Sequence, residues 1–141
     1  MEGKINKKVL VVEDDEDVIL YLSTWLSDQG FDVAVARDGI EATEKVKADP
    51  PDLITLDMVM PQKTGVKFYR EIKKDPQHGH IPVIIITGLQ REFERFISNR
   101  RVTPAPEGYI SKPFGQDELI ETIHKVLGVS CSKKALVNGG R

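Results

Sequence analysis

Three apolar runs, Val9-Leu10-Val11-Val12, Leu53-Ile54-Thr55-Leu56 and Val83-Ile84-Ile85-Ile86, show no alternation with polar residues. Each is short and bounded, and none leaves a polar face for water. Rich in Val, Ile and Leu, such runs read as strands covered on both sides, which demands helices above and below a parallel sheet. Weaker strand candidates lie from Phe31 to Val35 and at Tyr109-Ile110.

Between these runs the apolar period becomes helical. Val18, Leu22, Trp25 and Leu26 share a face behind Asp14-Asp15-Glu16-Asp17, an acidic start that suits the positive end of a helix dipole, and Gly30 is a stop. Ile40 to Ala48 forms a second helical pattern, closed by Asp49-Pro50-Pro51. Val66, Phe68, Tyr69 and Ile72 mark a third, ending near Asp75-Pro76, and Leu89, Phe93, Phe96 and Ile97 a fourth. Leu119, Ile120, Ile123 and Leu127 mark a fifth, ended by Gly128. Five strands alternating with five helices predict a doubly wound α/β domain. No internal repeat is visible, and Arg100 to Pro106 should be an irregular loop.

The 141 residues, 40% hydrophobic and 30% charged, suffice for one real core and exclude wholesale disorder. A net charge of -2 gives no electrostatic footprint for direct nucleic-acid binding or for an acidic membrane. The start, Met1 to Lys8, lacks the pattern of a signal peptide, and no stretch has the length of a membrane span. The lone Cys131 cannot form an intrachain disulfide and offers no argument for a catalytic thiol. The expectation is a cytoplasmic domain over residues 8–128. It would follow an extension at 1–7 and precede a flexible tail or linker stub at 129–141.

In an open parallel sheet, ligands bind beyond the carboxyl ends of the strands. There the first strand delivers Glu13-Asp14-Asp15, the third Asp57, the fourth Thr87-Gly88 and the fifth Ser111-Lys112-Pro113. Carboxylates gathered together repel unless protonated, neutralised or bound to a cation, and hard oxygen donors suit Mg2+. An Asp in such a place can act as a nucleophile toward a phosphoryl group and form an acyl phosphate.

Each residue also has a plainer reading. Asp57 can turn a loop, Glu13 to Asp17 can complement a helix dipole, Thr87 can cap the next helix, and Lys112 can be solvated. The dipole account suits Asp15, Glu16 and Asp17; Glu13 and Asp14 follow the strand directly and form the acid pair. Trp25, Phe93 and Phe96 read as core. His78-Gly79-His80 lacks a further close ligand and reads as loop, and His124 reads as solvated.

Four segments in order resemble the motifs of response-regulator receiver domains of two-component signalling, of the single-domain, chemotaxis type. They are Val11-Val12-Glu13-Asp14, Asp57-Met58-Val59-Met60-Pro61 followed by Gly65, Ile86-Thr87-Gly88, and Tyr109-Ile110-Ser111-Lys112-Pro113-Phe114. The resemblance covers about Lys8 to Leu127. It implies a flavodoxin-like, doubly wound five-stranded parallel sheet with five helices. It implies Asp57 as phosphoacceptor, with Mg2+ held by Asp14, by Glu13 through water, by Asp57 and by the carbonyl of Val59. Thr87 and Lys112 would contact the phosphoryl group, Thr87 and Tyr109 would form the switch, and the Lys112-Pro113 peptide would be cis.

The donor implied is a sensor histidine kinase or a histidine phosphotransfer protein. The implied output is a downstream protein on the face of the fourth and fifth helices and fifth strand, without substrate turnover. Val59 and Leu89 are apolar where the family is often polar, so the acyl phosphate should decay slowly and Val59→Asn or Leu89→Glu should change that rate. Arg91 to Pro106 is longer and more basic than usual, and Ala105-Pro106-Glu107-Gly108 replaces a small-residue turn. Three alternatives stand beside this reading: a receiver fragment of a larger regulator, a phosphate-independent binding module, and a Mg-dependent phosphohydrolase. The last would need a further acid and commonly a cap, for which the chain shows no insertion.

Overall fold

The computed structural model describes residues 6–58, 64–88 and 105–128. The fourth helical pattern with Leu89, Phe93, Phe96 and Ile97 lies outside them. So do Val59, Met60, Pro61 and the tail bearing Cys131. Strands β1 (Lys8–Val12), β2 (Asp32–Ala36), β3 (Leu53–Leu56), β4 (Val83–Thr87) and β5 (Gly108–Ser111) form one sheet. Helices α1 (Glu16–Asp28), α2 (Gly39–Ala48), α3 (Gly65–Lys74) and α4 (Gln116–Leu127) accompany it. Helix α4 is the last of the helical patterns, so four of the five expected helices stand among the described residues.

Every neighbouring pair of strands is parallel, in the order β2-β1-β3-β4-β5. This is the flavodoxin-like order. Side chains of each strand alternate between two cores. Leu10, Val12, Ile54, Leu56, Val83 and Ile85 pack with Val46, Phe68 and Ile72 of α2 and α3. Val9, Val11, Leu53, Ile84, Ile86 and Ile110 pack with Leu22, Trp25 and Leu26 of α1 and Leu119 and Ile123 of α4. The unalternated runs arise because both faces of the sheet are covered. Each fully buried Leu or Ile contributes about 1.5–3 kcal/mol of transfer free energy.

Helix ends are set by local chemistry. Asp15, Asp38 and Thr64 are N-caps whose side chains accept backbone N–H groups of the first turn. Helix α1 stops where Gly30 takes φ 99°. Its N–H donates to Ser27 O at 3.0 Å, and the Phe31 N–H turns back to Leu26 O at 3.1 Å. That left-handed conformation is why a glycine stands there. Among the described residues, no helix is long and apolar enough to cross a membrane.

Candidate functional site

Strands β1 and β3 lie side by side, but the chain leaves β1 toward one core and β3 toward the other. That divergence opens a crevice at their carboxyl ends. The register pairs Val12 with Leu56, so Glu13 and Asp57 emerge as neighbours. The Asp57 N–H donates to Val12 O at 3.0 Å, and the Glu13 N–H to Ala36 O at 2.9 Å. Both residues are therefore held by sheet hydrogen bonding just beyond the strands that deliver them.

Glu13, 2% exposed, turns inward. Its Oε2 accepts the Asp15 N–H at 3.2 Å and its Oε1 accepts Lys112 Nζ at 3.0 Å. Asp14 is exposed and Asp57 buried, and one carboxylate oxygen from each of Glu13, Asp14 and Asp57 lies within 4.8 Å of the others. Lys112 Nζ also stands 3.9 Å from Asp57 Oδ1, an ion pair too long to be a hydrogen bond. Three carboxylates against one ammonium leave two negative charges in excess. Hard oxygen donors with this surplus fit a small divalent cation such as Mg2+.

The acidic run divides by role. Asp15 caps α1, and Glu16 takes the Arg37 guanidinium on both oxygens, at 2.9 and 3.3 Å. That hydrogen-bonded ion pair holds the Glu16 carboxyl below its usual range. Arg37 also donates its backbone N–H to Glu41 Oε1 at 2.8 Å, which lowers the Glu41 carboxyl likewise.

The other strand ends meet the same edge. Thr87, 1% exposed, closes β4, and its carbonyl accepts the Lys112 N–H at 2.9 Å. The Lys112-Pro113 peptide is cis. Phe114, which follows, faces Tyr21 of α1 with ring centroids 5.8 Å apart. Tyr109 is half-buried and packs against the core beneath α2 and α3. Glu13, Asp14, Asp57 and Lys112 are thus brought together, and Thr87 is bonded to Lys112 through the backbone. Tyr109 stands earlier on β5, opposite Ile85, and Val59 and Leu89 fall outside the described residues.

Gly65 has a steric reason of its own. A Cβ there would come within 2.0 Å of the Asp57 carbonyl oxygen and 2.8 Å of Met58 Cα. Only glycine lets the start of α3 press against the strand end that carries Asp57. Two features escape a residue-by-residue reading of the sequence. His78 is in a loop but buried, with Nδ1 2.8 Å from Asp75 Oδ2. Lys73 is buried against Glu107 at the opposite end of the sheet. His124 is exposed and Trp25 is core, as the periodicity predicts.

Comparison with known proteins agrees with this geometry. Residues 9–124 match the family of response regulator receiver domains. The alkaline phosphatase synthesis transcriptional regulatory protein PhoP of Bacillus subtilis (strain 168) is 31% identical over 123 residues, covering 87% of this chain and 49% of that protein. The chain thus spans about half of PhoP's length. The polar-differentiation response regulator DivK of Brucella ovis is 32% identical over 124 residues, covering 88% of this chain and 98% of DivK. Among solved structures, the receiver domain of sensor histidine kinase PA1611 from Pseudomonas aeruginosa PAO1 superposes with a TM-score of 0.77 at 25% identity. It covers 89% of this chain and 100% of that one, and was solved with a magnesium ion coordinated in its active site cleft. The strand order, the acidic crevice and the match over residues 9–124 lead to one conclusion: this chain belongs to the response regulator receiver domain family.

Proposed function

We propose that Asp57 accepts a phosphoryl group from a phosphohistidine of a sensor histidine kinase or histidine phosphotransfer protein, and that the new charge switches a protein-binding surface. The observation that carries this reading is the position of Lys112 Nζ, 3.0 Å from Glu13 and 3.9 Å from Asp57, at the rim of three converging carboxylates. An Asp57 oxygen attacks phosphorus, the new O–P bond forming as the P–N bond breaks. The imidazole departs with that electron pair. Lys112 is close enough to pair with a phosphoryl oxygen after a small displacement, and Thr87 would donate its hydroxyl to another.

Glu13, Asp14 and Asp57, with the Val59 carbonyl, would hold Mg2+, which when bound supplies positive charge to offset the phosphoryl oxygens. Support comes from the donor set itself and from the magnesium in the Pseudomonas receiver domain. In this reading the domain runs over residues 8–128, works in the cytoplasm and signals without turning over a substrate. Thr87 and Tyr109 relay the change to the face of the fourth helical pattern, β5 and α4, where a downstream protein binds, with no direct contact to nucleic acid or membrane. The half-length match to PhoP favours a second reading, in which the same switch is the receiver segment of a longer regulator.

The test is intact mass after incubation with acetyl phosphate and Mg2+. One added phosphoryl group is expected, lost in Asp57→Asn and lost without Mg2+. An equal adduct on Asp57→Asn overturns the assignment. Absence of an adduct with both acetyl phosphate and a phosphohistidine donor gives the lead to the phosphate-independent binding module.

A further inference from the structure

Strand β5 carries Lys112 to the acidic cluster, and its own side chains fix its place only in part. It is an edge strand of four residues, Gly108 to Ser111, and only Ile110 among them is buried. Edge strands with few buried side chains specify register weakly, and here the close fit of Gly108 against Ile84 and Thr122 is one of the few constraints from the strand itself. The residue before it does more. The Glu107 N–H donates to Val83 O at 3.0 Å, and Glu107 Oε1 accepts the Val83 N–H at 2.8 Å. The backbone and side chain of one residue therefore grip the first residue of β4.

That carboxylate is itself fixed. Lys73 Nζ, at the end of α3, lies 3.0 Å from each Glu107 oxygen and 3.2 Å from Ile81 O. The Lys73 side chain is only 3% exposed, against 39% for Glu107. A buried ammonium bound to several acceptors has little freedom to rearrange, so Glu107 is anchored through it.

We propose that Glu107, anchored by Lys73, is a positioning residue for Lys112. It sets the register of β5 on β4 and thereby the distance of the ammonium from Asp57. The inference rests on the role proposed for Lys112 in phosphoryl transfer. The path is continuous: from Glu107 the register runs Ile84 with Gly108, Ile85 with Tyr109, Ile86 with Ile110 and Thr87 with Ser111, and then the Lys112 N–H reaches Thr87 O at 2.9 Å. A slip of one residue moves the strand by about 3.3 Å and sends each side chain to the opposite face. Lys112 would leave Glu13, now 3.0 Å away, and Tyr109 would leave the core under α2 and α3.

The experiment measures phosphorylation of the whole chain by acetyl phosphate with Mg2+, together with amide hydrogen exchange. The variants are Glu107→Ala, Glu107→Gln, Lys112→Ala and the double Glu107→Ala/Lys112→Ala. Glu107→Ala is expected to slow phosphorylation by up to roughly a hundredfold, the order of loss that a misplacement of about 1 Å produces. Glu107→Gln keeps an acceptor for Val83 and should restore most of the rate. In the Lys112→Ala background, Glu107→Ala should add nothing. The Lys112 amide should exchange faster in Glu107→Ala than in wild type.

An unchanged rate in Glu107→Ala, or losses that multiply in the double variant, overturns the proposal and leaves Glu107 a support of the fold alone. If wild type takes no phosphoryl group from acetyl phosphate or from a phosphohistidine donor, the reading of Asp57 fails by itself. Exchange at Lys112 then decides the clamp, faster exchange upholding it and unchanged exchange overturning it. Should Glu107→Ala fail to fold, Lys73→Met, which leaves Glu107 without its anchor, takes its place in the same comparison.

Discussion

Two lysines, Lys112 and Lys73, each meet a glutamate across the sheet, at opposite ends of it. Lys73 is saturated: both oxygens of Glu107 and the Ile81 carbonyl surround an ammonium whose side chain is 3% exposed. Lys112 is outnumbered: it bonds Glu13 at 3.0 Å, stands off Asp57 at 3.9 Å, and is 23% exposed. One end therefore balances its charges within the protein, while the other carries a surplus that invites a cation and an incoming group. The same pair of residue types serves the fold where the charges match and serves chemistry where they do not. Burial of an ion pair alone does not distinguish the two roles.

The largest expected effect breaks the crevice itself. Gly65→Ala, forced against the Asp57 backbone, should lower stability by about 3 kcal/mol, read as a shifted urea midpoint that Mg2+ does not repair. A midpoint equal to that of wild type would deny the close packing. Next, the two lysines should respond differently to metal. Lys73→Met should cost about 2 kcal/mol, because several polar partners lose their donor. Mg2+ should leave that loss unchanged. Lys112→Met should cost about 1 kcal/mol in metal-free buffer, since three carboxylates then face one another, and Mg2+ should recover it. Equal responses to Mg2+ in the two variants would erase the contrast.

Metal linkage in the wild type gives a third measure. At tenfold excess over its dissociation constant, Mg2+ should add about 1.4 kcal/mol to stability. Calorimetry should show that gain removed by EDTA and diminished in Asp57→Asn, and a full gain in Asp57→Asn would remove Asp57 from the metal site. The smallest effect concerns the turn beneath Lys73. The His78 hydrogen bond, then the Gln77 N–H, hold the Asp75 carboxyl below its ordinary value of 3.8. A carboxyl depressed in the folded state gives stability that is complete above its unfolded value and is lost as pH falls through the folded one. Stability of wild type should therefore decline more steeply below pH 3.8 than that of Asp75→Asn. Parallel acid titrations of the two would remove Asp75 from the account.

The acidic crevice could be read from the chain because an apolar strand announces its own end. Glu13, Asp57, Thr87 and Lys112 each follow or close such a run, although Lys112 and Glu13 are 99 residues apart. The clamp at the other end gave no such signal. Lys73 sits among charged residues at a helix end, and Glu107 stood out only for replacing a small-residue turn. Neither position shows from sequence that the lysine is buried. His78 escaped for a similar reason, since a histidine in a Gly- and Pro-flanked turn is usually wet. The Val59 carbonyl expected at the Mg2+ site, and the apolar pair Val59 and Leu89, fall outside the described residues.

By itself the sequence determined the order of the described strands and helices, the double coverage of the sheet and the residues that stand at the carboxyl ends of β1, β3, β4 and β5. Periodicity, caps and breakers act over a few residues, so a local pattern carries them. Only the tertiary structure decided that β1 lies between β2 and β3, that Glu13 turns inward to Lys112 while Asp14 stays exposed, and that one lysine is saturated while the other is not. Those outcomes depend on strand adjacency and register. Both are set by contacts among residues far apart in the chain, whose energies no local window contains.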